Sequence, residues 1–487
     1  MDETEPAPTP LIYVKIADSV ELAGADRDSR WTLDELVAAT GIESGDAVTA
    51  IRSVAPDIAF AWAFPSLSAS DIAEMTGASS DEEENAGYTP PKLDHFLEVA
   101  PMEGVDSSAL ADTLGGWSGV IDYAYVADLA IDAAVNAPSN PLYSATMQGY
   151  LGAAPGGIDA PAAWAKGADG SDTRFIDIEQ GWFLTHDDLP QTISVLAGSN
   201  RKTSFAHGCA VLGEVVGVDN TTGIVGIAPS ADAQVMSYND DQTSDISFQR
   251  LADRILAASK SLFFGQVLLL EVQLQNKATG TTLLVPAESD PLVFEAIRLA
   301  TKLGTIVVEA GGNGTVDLDA WVMDKGPDKG KHTLSRDNTS EFKDSVAIMV
   351  GAAEAATNHP RERFSNHGSR IDCFAWGENI VTTGWNSSSP TATDQYWGID
   401  LKDSSGTVIS FARTSGASPI IVGSCLLLQH LRVLLNPVSG SGKLGPFGMR
   451  RILANFANGT PSSNGAGIDG IGVMPDFTKI IANEFQP

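Results

Sequence analysis

Between positions 174 and 309 the chain alternates strands that are nearly all apolar with helical stretches, and few folds accommodate that order. Residues 174–177, 233–237, 266–272 and 305–309 read as strands, and 207–216, 246–262 and 291–303 as helices. Strands with no polar face must be covered on both sides. The expectation is therefore an α/β fold, a parallel sheet covered by helices on both faces. In such sheets active residues gather beyond the carboxyl ends of the strands, where Asp177 falls.

The second constraint is Phe411-Ala412-Arg413-Thr414-Ser415-Gly416-Ala417-Ser418-Pro419, which precedes the apolar positions Ile420, Ile421, Leu427, Leu428, Leu431 and Leu435. Their spacing of three and four predicts a buried helix, with Ser415 at its first turn. Unpaired N–H groups and the helix dipole favour an anion there. A Thr or Ser in that place also serves as an ordinary N-cap.

Other segments bear on that choice. Phe175-Ile176-Asp177 ends a strand, and Ala206-His207-Gly208-Cys209-Ala210-Val211-Leu212-Gly213 opens a helix. Val308-Glu309-Ala310-Gly311-Gly312-Asn313-Gly314 follows another strand. With the serine segment, close to Gly-Thr-Ser-x-Ala-Ser-Pro, these resemble the motifs of the subtilisin-like serine peptidases (subtilases), in that family's order Asp, His, Ser. The resemblance covers roughly two-thirds of the chain. It implies a subtilisin-like α/β sheet and a serine-type endopeptidase acting on polypeptides through an acyl-enzyme. Ser415 would be the nucleophile, His207 the base and Asp177 the carboxylate that orients the imidazole. Glu179 competes with Asp177, which the register favours. Asn313 would donate its side-chain amide to the oxyanion, together with the Ser415 N–H.

Departures from the pattern carry their own expectations. Residues 266–273 replace the family's Asn-x-Ser-x-Gly-type substrate strand with bulkier side chains, and Glu271 is the candidate substrate-binding residue, selecting Lys or Arg before the cut. It could instead pair with a cation such as Arg413. Arg413 stands where the family has glycine, and Cys209 where it has threonine. The competing function is a peptidase-like binding protein in which these changes impair turnover.

With 30 basic against 62 acidic residues, a formal charge of −32, the surface does not suit nucleic acid or anionic lipid. Up to Val135 there are 26 acidic against 5 basic residues, an asymmetry that marks a domain boundary. We therefore expect a smaller acidic N-terminal α+β domain, 1–137, before a peptidase domain, 138–487. In it 11–16, 58–63 and 120–130 read as strands, 33–39 as a helix and 78–85 as a solvated loop. The family resemblance suggests a propeptide-like role and contact between the two domains. Three scattered cysteines imply neither disulfide framework nor metal site, and no cofactor or metal is implied. The start of the chain lacks a secretory signal and no apolar run reaches transmembrane length, so the expectation is a soluble, cytoplasmic protein without membrane partners.

Overall fold

The computed structural model describes residues 8–22, 30–42, 45–77, 88–127, 130–131, 148–220, 223–240, 247–276, 282–385, 395–398, 411–435, 442–463 and 469–485. The acidic loop at 78–85 and the expected boundary near 138 lie outside them.

At the centre is an eight-stranded sheet. Asp232–Ser237, Arg174–Glu179, Val267–Leu270, Ile306–Ala310, Ile348–Ala353, Cys373–Trp376 and Val473–Pro475 run parallel, and Gly459–Pro461 closes one edge antiparallel. The four inner strands from Val267 to Trp376 are buried throughout, as apolar strands covered on both faces must be. Leu251–Ser261 and Pro291–Lys302 are two of the covering helices, and Asp290 caps the second by accepting from the Leu292 and Val293 N–H groups.

Thr414–Leu435 is the long helix, packed against the central strands and against the helix Phe205–Val216. By length and composition it could cross a membrane, which corrects the expectation that no apolar run is long enough. Its place is the core: Ile420, Ile421, Leu426, Leu427, Leu428 and Leu431 are fully buried. Each such side chain contributes roughly 1.5–3 kcal/mol. Pro419 sits six residues in rather than in the first turn, so the helix forgoes the bond its N–H would have given to the Ser415 carbonyl.

The N-terminal residues form a separate five-stranded antiparallel sheet, built from Ile12–Ile16, Trp31–Thr32, Ala59–Trp62, Phe96–Val99 and Ile121–Val126. Period-two alternation explains how it is buried twice. Ile12, Val14 and Ile16 join a core of their own, while Leu11, Tyr13 and Tyr125 join the main core. Polar contacts hold the second face to the two covering helices. Ser66 donates N–H and Oγ–H to Asp253 at 2.9 and 2.6 Å, Tyr125 Oη donates to Asp290 at 2.7 Å, and Arg250 pairs with Glu98. Past the sheet, residues Ala130–Ile131 pair antiparallel with the strand Gln273–Asn276.

Candidate active site

His207 is the third residue of its helix and is buried. Why histidine must be followed by glycine is steric: a Cβ at Gly208 would lie 2.3 Å from the Trp182 ring and 2.4 Å from the Gly181 carbonyl. The close approach fixes the helix against the 181–182 turn, and with it the imidazole. Nδ1 lies 2.7 Å from Glu179 Oε2, and the ring meets Phe411 edge-on at 5.5 Å. Nε2 is buried and has no hydrogen-bond partner among the described residues. Burial pushes the imidazole down to about 3, so it is neutral near pH 7.

The carboxylate on His207 is thus Glu179 and not Asp177. Both residues lie on Arg174–Glu179, two positions apart, so both side chains share one face of the sheet. Asp177 sits one pleat further back. Its Oδ2 accepts from Trp182 Nε1 at 2.6 Å, it hydrogen-bonds with Glu179, and burial pushes it up to about 7. The sequence did contain the signal. The family that the motifs resemble has a glycine two residues after its orienting carboxylate, and Gly181 stands at that distance from Glu179, not from Asp177. A Cβ at Gly181 would meet the Arg201 carbonyl at 2.2 Å.

Ser415, second in its helix, is buried. No hydrogen bond joins it to His207 among the described residues, and in unliganded sites such bonds are often long. The residue before the helix, Arg413, holds φ at +79°, the left-handed region, and its carbonyl accepts from the Gly416 and Ala417 N–H groups. This is the glycine position of the serine motif, and the backbone keeps the glycine conformation although the residue is arginine.

Asn313 lies beside this turn. Its Oδ1 accepts from the Thr414 N–H and from Thr414 Oγ1, both at 3.0 Å, and its Nδ2 donates to Gln273 Oε1 at 3.2 Å. Gly312 before it has φ +91°, and a Cβ there would strike Asn366 Nδ2 at 2.6 Å. Neither Thr414 nor Gln273 was singled out from sequence.

Glu271 turns into the core instead of facing a substrate. It is buried, and its Oε1 accepts from the Ser418 hydroxyl, one turn beyond Ser415 in the core. Glu214 on the histidine helix is close enough that burial and Glu271 together hold its carboxyl well above the usual range. Arg413 is exposed and stacks over the Phe364 ring at 5.7 Å, so it is not the partner of Glu271. Cys209 is buried, 3.6 Å from Thr383 Oγ1, and burial pushes its thiol up to about 12, which makes it a packing residue. Among the described residues no group of three or more His, Cys, Asp or Glu could hold a metal.

A model of the subtilase family, Peptidase_S8, matches residues 169–468, more than half the chain. The chain is 25% identical over 238 residues to the major intracellular serine protease of Bacillus subtilis (strain 168), covering 46% of this chain and 64% of that one. It is 25% identical over 326 residues to the Aeromonas extracellular serine protease of Aeromonas sobria, covering 57% and 50%. With alkaline protease 1 of Aspergillus flavus the identity is 29% over 302 residues, 61% of each chain. These matches span about half to two-thirds of the relatives' own length. The structure of fervidolysin from Fervidobacterium pennivorans, a keratinolytic enzyme related to subtilisin, superposes with a TM-score of 0.54 at 15% identity, covering 100% of this chain and 62% of that one.

Proposed function

Because the chain belongs to the subtilase family, we propose that it is a serine endopeptidase whose triad is Glu179, His207 and Ser415. The observation that carries this reading is the buried imidazole with Nδ1 on a carboxylate and Nε2 without a partner among the described residues. A carboxylate at Nδ1 holds the proton there and leaves the lone pair on Nε2, the tautomer a general base needs. His207 takes the Ser415 proton as Oγ adds to the peptide carbonyl. The oxygen, now an anion, accepts from Asn313 Nδ2–H and the Ser415 N–H at the positive end of the long helix. His207 then returns the proton to the leaving amine, and water repeats the sequence on the acyl-enzyme. Glu179 reaches the imidazole from the end of its strand, and Asp177, through Trp182 and Glu179, braces it from behind.

Residues 1–137 fit the role of an intramolecular partner. The sheet docks on two helices of the peptidase part, and Ala130–Ile131 lie antiparallel on Gln273–Asn276. That is how an extended peptide adds to a strand edge. On this reading Ala130–Ile131 take the place on that strand that a substrate would take.

A second reading, a peptidase-like binding protein without turnover, draws on Arg413 in the left-handed region beside the nucleophile. One experiment separates the two. The full-length protein is treated with a fluorophosphonate serine probe, next to Ser415→Ala, and assayed on unfolded protein substrates. Labelling and hydrolysis that both vanish in Ser415→Ala support the peptidase; binding of polypeptide without labelling supports the second reading. Residues 138–487 produced alone, with and without 1–137 in trans, test the partner role. Normal yield and activity in both cases reject it.

A further inference from the structure

Gln273 stands where the cleft strand and the oxyanion donor meet. Its backbone is the first pair of the strand Gln273–Asn276, opposite Pro286 on one side and Ile131 on the other. Its side chain is buried, and Oε1 accepts twice from one residue, from the Asn313 N–H at 2.9 Å and from Nδ2 at 3.2 Å. The orientation of both carboxamides follows from the backbone, because an N–H can only donate. The Asn313 N–H requires the Gln273 oxygen to face it. The Thr414 N–H requires Asn313 to turn its oxygen to Thr414, which leaves Nδ2 toward Gln273. One of the two Nδ2 hydrogens goes to Gln273, and the other meets no acceptor among the described residues.

We propose that Gln273 is the positioning residue of the oxyanion donor and that it links an extended peptide bound along Gln273–Asn276 to the orientation of Asn313. The proposal rests on the peptidase reading above. A terminal carboxamide held at one end is free to swing about its last torsion, which is broad. Held at Oδ1 by Thr414 and at Nδ2 and the backbone by Gln273, it is fixed before the reaction begins, and fixed donors need no reorganisation when charge develops. The peptide that pairs with the cleft strand does so at Gln273 itself. Binding of residues remote from the scissile bond therefore stiffens the group that holds the anion donor, and such binding energy appears in kcat rather than in KM.

The test uses full-length protein and a series of short and long peptide amides. The variants are Gln273→Leu and Gln273→Met, the second keeping length and volume while removing the acceptor, each alone and in the Asn313→Ala background. Loss of orientation should cost less than the hundredfold or more that follows removal of an oxyanion donor, so kcat on long peptides should fall about tenfold with KM within about twofold. The loss should shrink on short peptides and vanish when Asn313 is already alanine, as expected for two residues acting through one group. An unchanged or raised kcat, or a loss that adds in full to that of Asn313→Ala, would overturn the proposal. Wild type that is neither labelled by fluorophosphonate nor hydrolytic, even after limited proteolysis of its N-terminal part, would instead sink the peptidase reading, and this inference with it. Active wild type with indifferent Gln273 variants sinks the inference alone.

Discussion

His207 and Ser415 stand in the first turns of two packed helices, whereas Asp177, Glu179, Glu271 and Gln273 come from the ends of two neighbouring strands and the segment that follows them. The helix sites are unique. At Gly208 a single methyl would collide with Trp182, so neither register nor identity has an alternative. The strand sites are degenerate, because period two puts the same face in reach every second residue. Two carboxylates share the face behind His207. At the next strand Glu271 turns into the core toward Ser418, while Gln273, two residues on, reaches Asn313. Where local sterics over-determine a side chain the motif places it; where a pleat offers two candidates, hydrogen bonding decides.

The largest effect expected is at the helix sites. Ser415→Ala and His207→Ala should each abolish hydrolysis, on the order of a millionfold in kcat by the scale found for subtilisin, and the double variant should lose no more. A steady-state assay on a long peptide reads this, and any additive loss would mean that the two residues do not act as a unit.

The strand pair gives a sharper contrast. Glu179→Gln keeps the shape but removes the charge that fixes the tautomer and supports the imidazolium. It should cost roughly ten-thousandfold in kcat. Asp177→Asn, one pleat back, should cost less than about tenfold, since the amide oxygen still accepts from Trp182. Equal losses, or a larger loss at Asp177, would return the orienting role to Asp177. In the wild type the acid limb of kcat/KM should lie well below the ordinary histidine range, because burial disfavours the imidazolium.

Asp177 also leaves a signature in stability. Its native value of about 7 lies above that of an unfolded aspartate, so between roughly pH 4 and 7 the native state holds the proton that the unfolded state has lost. Stability from this group is full below that window and lost as pH rises through it, by at most about 1.4 kcal/mol per pH unit. Asp177→Asn has no such proton to lose. Denaturant melts at pH 4 and pH 7 should therefore show the stability of Asp177→Asn rising relative to that of the wild type as pH rises; no relative gain, or a relative loss, would contradict the buried, protonated aspartic acid.

These contrasts also explain what the chain discloses before its structure is known. The parallel sheet follows from runs such as Val267–Leu270 that have no polar face, and His207, Ser415 and Asn313 from short motifs in which glycines enforce close contacts. The exchange of Asp177 for Glu179 was legible only through Gly181, a signal weaker than an aspartate at the end of an apolar strand. Nothing in the local sequence at 271–273 shows which polar residue turns inward, because that depends on Ser418 and Asn313, far away in the chain. The burial of Thr414–Leu435 likewise depends on the sheet and not on its composition.

The smallest effect concerns Arg413. A non-glycine residue in the left-handed region carries roughly 1–2 kcal/mol of strain, which glycine would relieve. Glycine also raises the entropy of the unfolded chain, which offsets about 0.4–1 kcal/mol, and it removes the exposed stacking on Phe364, worth about 0.5 kcal/mol. The net change for Arg413→Gly is therefore close to zero, and the informative comparison is with Arg413→Ala. Alanine loses the same stacking but keeps a Cβ in the left-handed region. Arg413→Gly should thus be more stable than Arg413→Ala by about 1 kcal/mol in denaturant melts, and it should label with fluorophosphonate at least as fast as wild type, since the turn beside Ser415 keeps its shape. Equal stability of the two variants would mean that the arginine is not strained, and the backbone at 413 would then have to differ from the turn described here.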